Sequence, residues 1–265
     1  GFKALWVRDV PFNVPSFGDA GQIYDPFVYL GMLAGQTKKV ALRVASIILP
    51  LRHPAHVAKA AASADALSDG RLILGVASGD RPQEYPALNM DFENRGGRFR
   101  DSFNYIRRMS DPSPAFESAS YGSSLGDKDM LPKPVGGKLP LLITGGSQQS
   151  PEWIAQNGDG WMIYPRNLPV QNQIIRGYRQ QIAENELPDK PVMQPLYVDL
   201  DSDRNTRPSP IHLGYHLGVA RLVDHLKSLR DIGINHTALN LRFNRLDIET
   251  TMNKLADELF PVFHQ

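Results

Sequence analysis

Residues 40–80, VALRVASIILPLRHPAHVAKAAASADALSDGRLILGVASGD, restrict the fold of this chain more than any other stretch. The run Val40–Leu49 is mostly apolar and shows no helical periodicity before Pro50. That is the pattern of a strand buried on both faces. Pro54 then presets φ for the first turn of a helix expected over Ala55–Leu67, a stretch dominated by alanine, the best helix former. Val57, Ala61, Ala64 and Leu67, or Ser68 in its place, recur at three- and four-residue steps. They form a small-residue stripe that allows close approach to a sheet. Asp69-Gly70 stops the helix, since glycine enters the left-handed region without steric cost. A second buried strand, Arg71–Ala77, runs into Ser78-Gly79-Asp80. Strand, helix and strand in so short a span imply parallel strands joined by a right-handed crossover.

The same unit recurs along the chain. Strands are expected over Gly1–Val7, Pro140–Thr144, Trp161–Tyr164, Val192–Leu200 and His236–Leu241, besides the two above. Helices are expected from Pro26 behind an Asp25 cap, over Arg98–Met109, from Ser150 to Gly158, and over Val170–Glu186, Val219–Asp231 and Ile248–Leu259. A loop rich in Pro, Gly and Asp fills the span from Val10 to Asp25, and a polar loop covers Asp80–Gly97. Residues 110–139 and 201–217 read as loop excursions. Seven strands, each followed by a helix, approach the eight units of a closed parallel barrel. An open doubly wound sheet would carry a glycine-rich fingerprint after its first strand, and neither G-x-G-x-x-G nor a Walker loop occurs. The expectation is an α/β chain of the TIM (β/α)8 barrel type, a single domain over 1–265, with the first β/α unit lacking from this sequence.

Charge and composition narrow the chemistry. With 29 basic and 28 acidic residues the net charge is +1, which offers no electrostatic footprint for nucleic acid or an anionic membrane. There is no cysteine, so disulfides, thiolate metal sites and cysteine nucleophiles are excluded. No run approaches the ~18 apolar residues of a membrane span and no signal peptide opens the sequence, so a cytoplasmic location is expected. In a barrel the reacting groups sit where strands end. None of the strand interiors carries a lysine, Lys3 lying near the start of its strand, which counts against a Schiff-base aldolase. No histidine is expected to pair with a carboxylate at a strand end, against a metal hydrolase. His212 and His216 have the i, i+4 spacing of metal ligands, but Gly214 lies between them and no third ligand is evident, so they read as a loop pair.

The strongest local signal is Gly145-Gly146-Ser147-Gln148-Gln149-Ser150. Two glycines let backbone amides converge on one point, and the next helix adds its N-terminal donors and dipole, as an anion site requires. An ordinary strand-to-helix turn capped by Ser150 accounts for the same residues. Arg98 has two readings too, as a phosphate counter-ion or as a solvated charge along its helix.

The runs VASIILPLRHP, AKAAASADALSDGRLILGVASGD, ENRGGRF and TGGSQQSPEW with GDGW together resemble the bacterial luciferase-like flavin monooxygenases, in order and over nearly the whole chain. LWVRDVPF and PIHLG point within them to a luciferase-type oxidoreductase subgroup. The resemblance implies an eight-stranded α/β barrel that this sequence enters at the second strand. It implies a cis peptide bond joining Ala45 to Ser46, set against a flavin ring. It implies a flavin phosphate held by Gly146, Ser147, Gln148 and Ser150 with Arg98 as counter-ion, Ser78 where a phosphate-contacting arginine can stand, and Tyr164 near the ring. Many relatives follow an acid with an acid/base histidine at the second-strand end, whereas this chain has Asp9 followed by Val10. Asp9 or Arg8 is then the candidate catalytic group. The implied activity is oxidation of a small organic substrate by reduced FMN and molecular oxygen, with a separate flavin reductase and a homodimeric assembly. The alternatives are a deazaflavin-dependent hydride transfer and a non-catalytic flavin-binding protein. A phosphate-binding barrel lyase is disfavoured by the missing lysine and metal ligands.

Overall fold

The computed structural model describes residues 1–14 and 23–263. The loop expected between Val10 and Asp25 thus lies in part, at 15–22, outside the described residues. Two compact units form: Lys3–Ser150, the first unit, and Pro151–Gln265 with Gly1–Phe2, the second.

The first unit contains β1 (Ala4–Val7), α1 (Pro26–Gln36), β2 (Ala41–Ile48), α2 (Pro54–Leu67), β3 (Leu72–Ala77), the one-turn helix α3 (Glu84–Ala87), α4 (Arg95–Arg108), β4 (Ala115–Ser118), β5 (Gly122–Leu125) and β6 (Leu141–Thr144). Strands β1, β2, β3 and β6 are neighbours in that order and all parallel. Leu42, Val44, Ile47, Leu72, Leu74 and Val76 are buried in them, as the unbroken apolar runs require. The Asp25 carboxylate caps α1 by accepting from the Phe27 and Val28 amides. On α2 the stripe of Val57, Ala61 and Ala64 is buried, and it closes on Ser68, 1% exposed, rather than Leu67, 69% exposed. Asp69 and Gly70 then turn the chain with φ of 58° and 74°.

Three expectations for this unit are corrected. Helix α4 starts at Arg95, not Arg98, and takes in Gly96 and Gly97. Glycine weakens a helix in isolation, but a Cβ at position 96 would lie 2.8 Å from the Gln148 Cβ, so contact with the following loop selects it. The polar segment 80–97 contains α3, pinned by the fully buried Tyr85, which stands edge-on to Phe92 at 5.0 Å. The excursion at 110–139 contains an antiparallel hairpin, with Ala115 opposite Leu125. That hairpin shows no apolar alternation because it is held to α4 by polar bonds: Asp101 accepts from the Ser118 hydroxyl and the Ser120 amide, both at 2.9 Å.

The second unit contains α5 (Pro151–Asn157), β7 (Gly160–Met162), α6 (Leu168–Glu184), β8 (Val192–Leu200), β9 (Ser209–Ile211), β10 (Gly214–Leu217), α7 (Val219–Asp231), β11 (His236–Asn240) and α8 (Ile248–Phe263). Strands β7, β10 and β11 all run parallel to β8. Backbone groups along a strand alternate between its two edges. The Ile163 amide reaches the Met193 carbonyl at 2.9 Å, and the Asn235 amide reaches Val192 on the other edge at 2.8 Å. Tyr197 and Asp201, on the Met193 edge, donate to Leu213 and Leu217 at 3.1 and 3.0 Å. Strand β10 therefore takes over the edge of β8 that β7 leaves. The stretch 201–217, expected as a polar loop, instead carries this hairpin, with β9 antiparallel to β10. Pro210 is tolerated in β9 because an outer strand can lack one donor. Among the described residues no helix is long and apolar enough to cross a membrane.

Candidate functional site

In the first unit the parallel strands β2 and β6 bring the hydroxyls of Ser46 and Thr144 together near their C-terminal ends. Val44 pairs with Leu74 and Ile47 with Val76, so Ala45 and Ser46 bulge opposite Gly75 alone. A Cβ at position 75 would fall 2.2 Å from the Val44 carbonyl oxygen, a space only glycine leaves. The Ala45–Ser46 bond is cis, the form the resemblance implies for it. The bulge turns the Ser46 hydroxyl onto that of Thr144 at the end of β6. Ser147 donates its hydroxyl to the Thr144 carbonyl at 2.7 Å. Ser46, Thr144 and Ser147 thus form one polar chain across the ends of β2 and β6.

The loop after β6 turns through left-handed residues at Gly145, Ser147 and Gln148, with φ of 58°, 44° and 58°. Gln149 fastens it to α4: its amide nitrogen donates to the Gly96 carbonyl at 2.9 Å, and its amide oxygen accepts from Arg100 at 2.8 and 3.0 Å. Gly146, Gln148 and Ser150 are exposed. The arginine that reaches this loop is therefore Arg100, which no sequence pattern singled out.

Arg98 lies about 200° round the helix from Gly96, as helical geometry dictates for residues two apart. Its guanidinium carbon stands 5.6 Å from the centre of the Tyr121 ring, on the hairpin side. Its Nε is buried and has no hydrogen-bond partner. A buried donor left unmade costs about 1–3 kcal/mol, and more on a charged group. The half-buried Arg98 guanidinium thus keeps one unmet donor that an anionic group would satisfy, on the hairpin side of α4. Ser78 is buried, 4% exposed, and its carbonyl accepts from the Tyr85 hydroxyl. Burial pushes the Tyr85 phenol up to about 12.

The candidate catalytic acid is engaged elsewhere. Asp9 is 8% exposed and accepts two bonds from Arg52, at 2.7 and 3.1 Å, and one from the Ile48 amide at 3.2 Å. Arg52 also donates to Asp25 at 2.9 Å. Asp9 thereby ties the end of β1 to the turn after β2 and the start of α1. Arg8 is half-buried next to it. Tyr164, in the second unit, is 42% exposed just beyond β7.

The second unit holds a cluster at the end of β8, where no histidine–carboxylate pair was expected. Gln194 points toward α6, bonding Gln171 at 2.8 Å, so Tyr197 and Asp199 point to the opposite face. On β10, Tyr215 meets His225 of α7 at 5.1 Å, which sends His216 to the face away from the helices. There the His216 Nδ1 is 3.0 Å from Asp199 Oδ2 and its Nε2 is 3.1 Å from Asp201 Oδ2. Arg245 donates its backbone amide and Nε to Asp199 at 3.1 and 2.9 Å. One Arg245 Nη lies 3.0 and 3.4 Å from the two His216 nitrogens, a position possible only over the ring face. The sequence signal was the alternation in Gly-Tyr-His-Leu, too short to mark a strand by itself. No group of three or more metal-ligating side chains occurs among the described residues.

Residues 1–224 match the family profile described as luciferase-like monooxygenase. A relative from Acinetobacter baylyi, the oxygenase component of a flavin-dependent trigonelline monooxygenase, is 25% identical over 226 residues, 82% of this chain and 61% of that protein. The crystal structure of a monooxygenase from Streptomyces bottropensis has a TM-score of 0.82 at 17% identity, covering 98% of this chain and 88% of the other. An F420-dependent secondary alcohol dehydrogenase, in complex with an F420-acetone adduct, has a TM-score of 0.80 at 17% identity, covering 97% and 89%. These likenesses place the fold in the α/β barrel class expected above.

Proposed function

This chain belongs to the luciferase-like monooxygenase family, and on that premise we propose that it is a flavin-dependent monooxygenase of small organic substrates. The observation that carries the cofactor reading is the buried, unpartnered Nε of Arg98, which the phosphate of a flavin would satisfy. Arg98 supplies the charge in this reading, with Ser147, Gln148, Gly146 and Ser150 as the neutral donors. Bound reduced FMN would supply the electrons for activating molecular oxygen, and a separate reductase would furnish it. The chain's own residues position and exclude. The hydroxyls of Ser46 and Thr144 present a polar edge beside the cis Ala45–Ser46 bond. Asp9, clamped by Arg52, orders the turn after β2 instead of moving protons.

The second reading is hydride transfer with a deazaflavin, favoured by the fold likeness to the F420-dependent dehydrogenase. Both cofactors carry a phosphate and share the Arg98 requirement. Fluorescence titration with FMN and with the deazaflavin decides between them: saturable binding of one is expected. Arg98→Ala should weaken that binding about 10- to 150-fold, the equivalent of ~1.5–3 kcal/mol for a hydrogen bond to a charged group. Saturable binding of neither, or unchanged affinity in the variant, refutes the respective assignment.

A further inference from the structure

Helix α4 opens with two arginines, Arg95 and Arg98, three residues apart and therefore neighbours on one face. Arg98 is assigned above as counter-ion of a flavin phosphate, and Arg95 has no part in that assignment. We propose that Arg95 joins Arg98 in a two-cation site selective for a doubly charged terminal phosphate, a phosphomonoester, over a singly charged phosphodiester. The inference rests on the flavin reading above and narrows it to a cofactor that ends in its phosphate.

Unmet donors are the first argument. The Arg95 guanidinium lies over the Phe92 ring at 3.7 Å, and one Nη donates to the Phe92 carbonyl at 2.9 Å. Its Nε, like that of Arg98, is buried and has no hydrogen-bond partner among the described residues. Holding Phe92 in place needs the stacking and the Nη bond, and leaves the cost of a buried charged donor unexplained. Two such donors within one helical turn point to a shared acceptor.

Charge is the second argument. Helix α4 has no acidic residue in its first turn and no side-chain cap from Asn94, so the positive end of the helix adds to both guanidinium charges. Glu84, the acid of α3, stands 3.7 Å from Arg81. Both arginines also act on one point. Burial raises the Tyr85 phenol, and the charges of Arg95 and Arg98 pull it back. That hydroxyl donates to the Ser78 carbonyl just past β3, and Phe92 stands edge-on to its ring at 5.0 Å. All of these groups lie in the first unit. A monoanion would leave one of the two guanidinium charges uncompensated. A phosphomonoester brings close to two charges at neutral pH and three acceptor oxygens, enough for both Nε donors.

The test compares FMN, its singly charged diester riboflavin 4′,5′-cyclic phosphate, and riboflavin, each titrated by flavin fluorescence. FMN should bind at least about tenfold tighter than the cyclic diester at pH 7, the least expected of one more bond between charged groups. The second phosphate pKa is about 6, so the dianion fraction falls roughly tenfold from pH 7 to pH 5, and FMN affinity should fall with it. Affinity for the cyclic diester should hold over the same span. Around the pair stand His53 behind Tyr121, Asp80, Arg81 and Glu84 near Tyr85, and Arg100 and Asp101 on α4. The diester controls for their titration, because a change in protein charge would alter its binding too. Arg95→Met keeps a stem over Phe92 and should weaken FMN about 10- to 150-fold, erase the preference over the diester and leave riboflavin binding unchanged. Equal affinity for FMN and the diester in the wild-type protein, or unchanged FMN affinity in the variant, overturns the proposal and leaves the flavin reading standing. If the variant does not fold, the wild-type pH comparison decides: FMN affinity that does not fall between pH 7 and pH 5 overturns the proposal. Saturable binding of none of the three overturns the flavin reading as well.

Discussion

Replacing Arg52 by methionine keeps the length of the side chain and removes the partner of a buried carboxylate. The Asp9 side chain is 1% exposed, and two of its three hydrogen bonds come from Arg52. Breaking a buried pair from one side costs about 3–5 kcal/mol, because a charge remains without compensation. The Arg52 side chain is 27% exposed, so water can reach the vacated position, and the low end, about 3 kcal/mol, is expected. Unfolding entropy near 2.1 cal/mol/K per residue gives roughly 0.56 kcal/mol/K for a chain of this length, so Tm should fall by about 5 °C. Scanning calorimetry of Arg52→Met, Asp9→Asn and the double variant closes a cycle. The double variant should recover at least about 1 kcal/mol relative to the sum of the singles, since removing both partners strands no charge. Strict additivity would refute the view that Asp9 serves to hold β1, β2 and α1 together, and would return it to the catalytic candidates.

Gly75→Ala should destabilise by about 1–3 kcal/mol or prevent folding, since its Cβ would meet the Val44 carbonyl oxygen at 2.2 Å; an unchanged thermal midpoint contradicts the close approach. Arg71 donates to the Ala34, Thr37, Val40 and Ser68 carbonyls, so Arg71→Met should cost about 2–4 kcal/mol at ~1 kcal/mol per bond, measured by denaturant unfolding. Burial pushes the phenols of Tyr85 and Tyr178 up to about 12. A folded-state pKa above the unfolded value, about 10, means the associated stability is intact below pH 10 and lost as pH rises toward 12. Phenolate absorbance should show both silent until the chain unfolds in that window, and Tyr85→Phe should reduce the silent amplitude. Free ionisation of all tyrosines near 10 in the native protein would refute it.

Much of the first unit is legible in the sequence because its signals are local. The apolar run of β2, the alanine stripe of α2 and the Asp69-Gly70 stop each depend on neighbours within one turn or one strand. The Asp25 cap is legible for the same reason. Where the reading fails, a distant partner decides the matter. Gly96 and Gly97 argue against a helix start by propensity, yet α4 begins there because Gln148 leaves no room for a side chain at 96. The polar hairpins at 115–125 and 209–217 lack the alternation that marks strands; Asp101 holds the first, and the free edge of β8 the second.

The site divides along the same line. The sequence by itself determined the order of the main strand–helix units, the family likeness and the glycine-rich turn after β6, and the resemblance it carries implied the cis bond between Ala45 and Ser46. Only the tertiary structure decided what those residues touch: that Arg52 occupies Asp9, that Arg100 rather than Arg98 fastens the loop, and that Arg98 keeps a buried donor unmet. It alone joined His216 to Asp199 and Asp201. The reason is physical: periodicity and propensity act within a few residues, whereas a contact between side chains 17 or 43 positions apart forms only once strands have paired and brought their ends together.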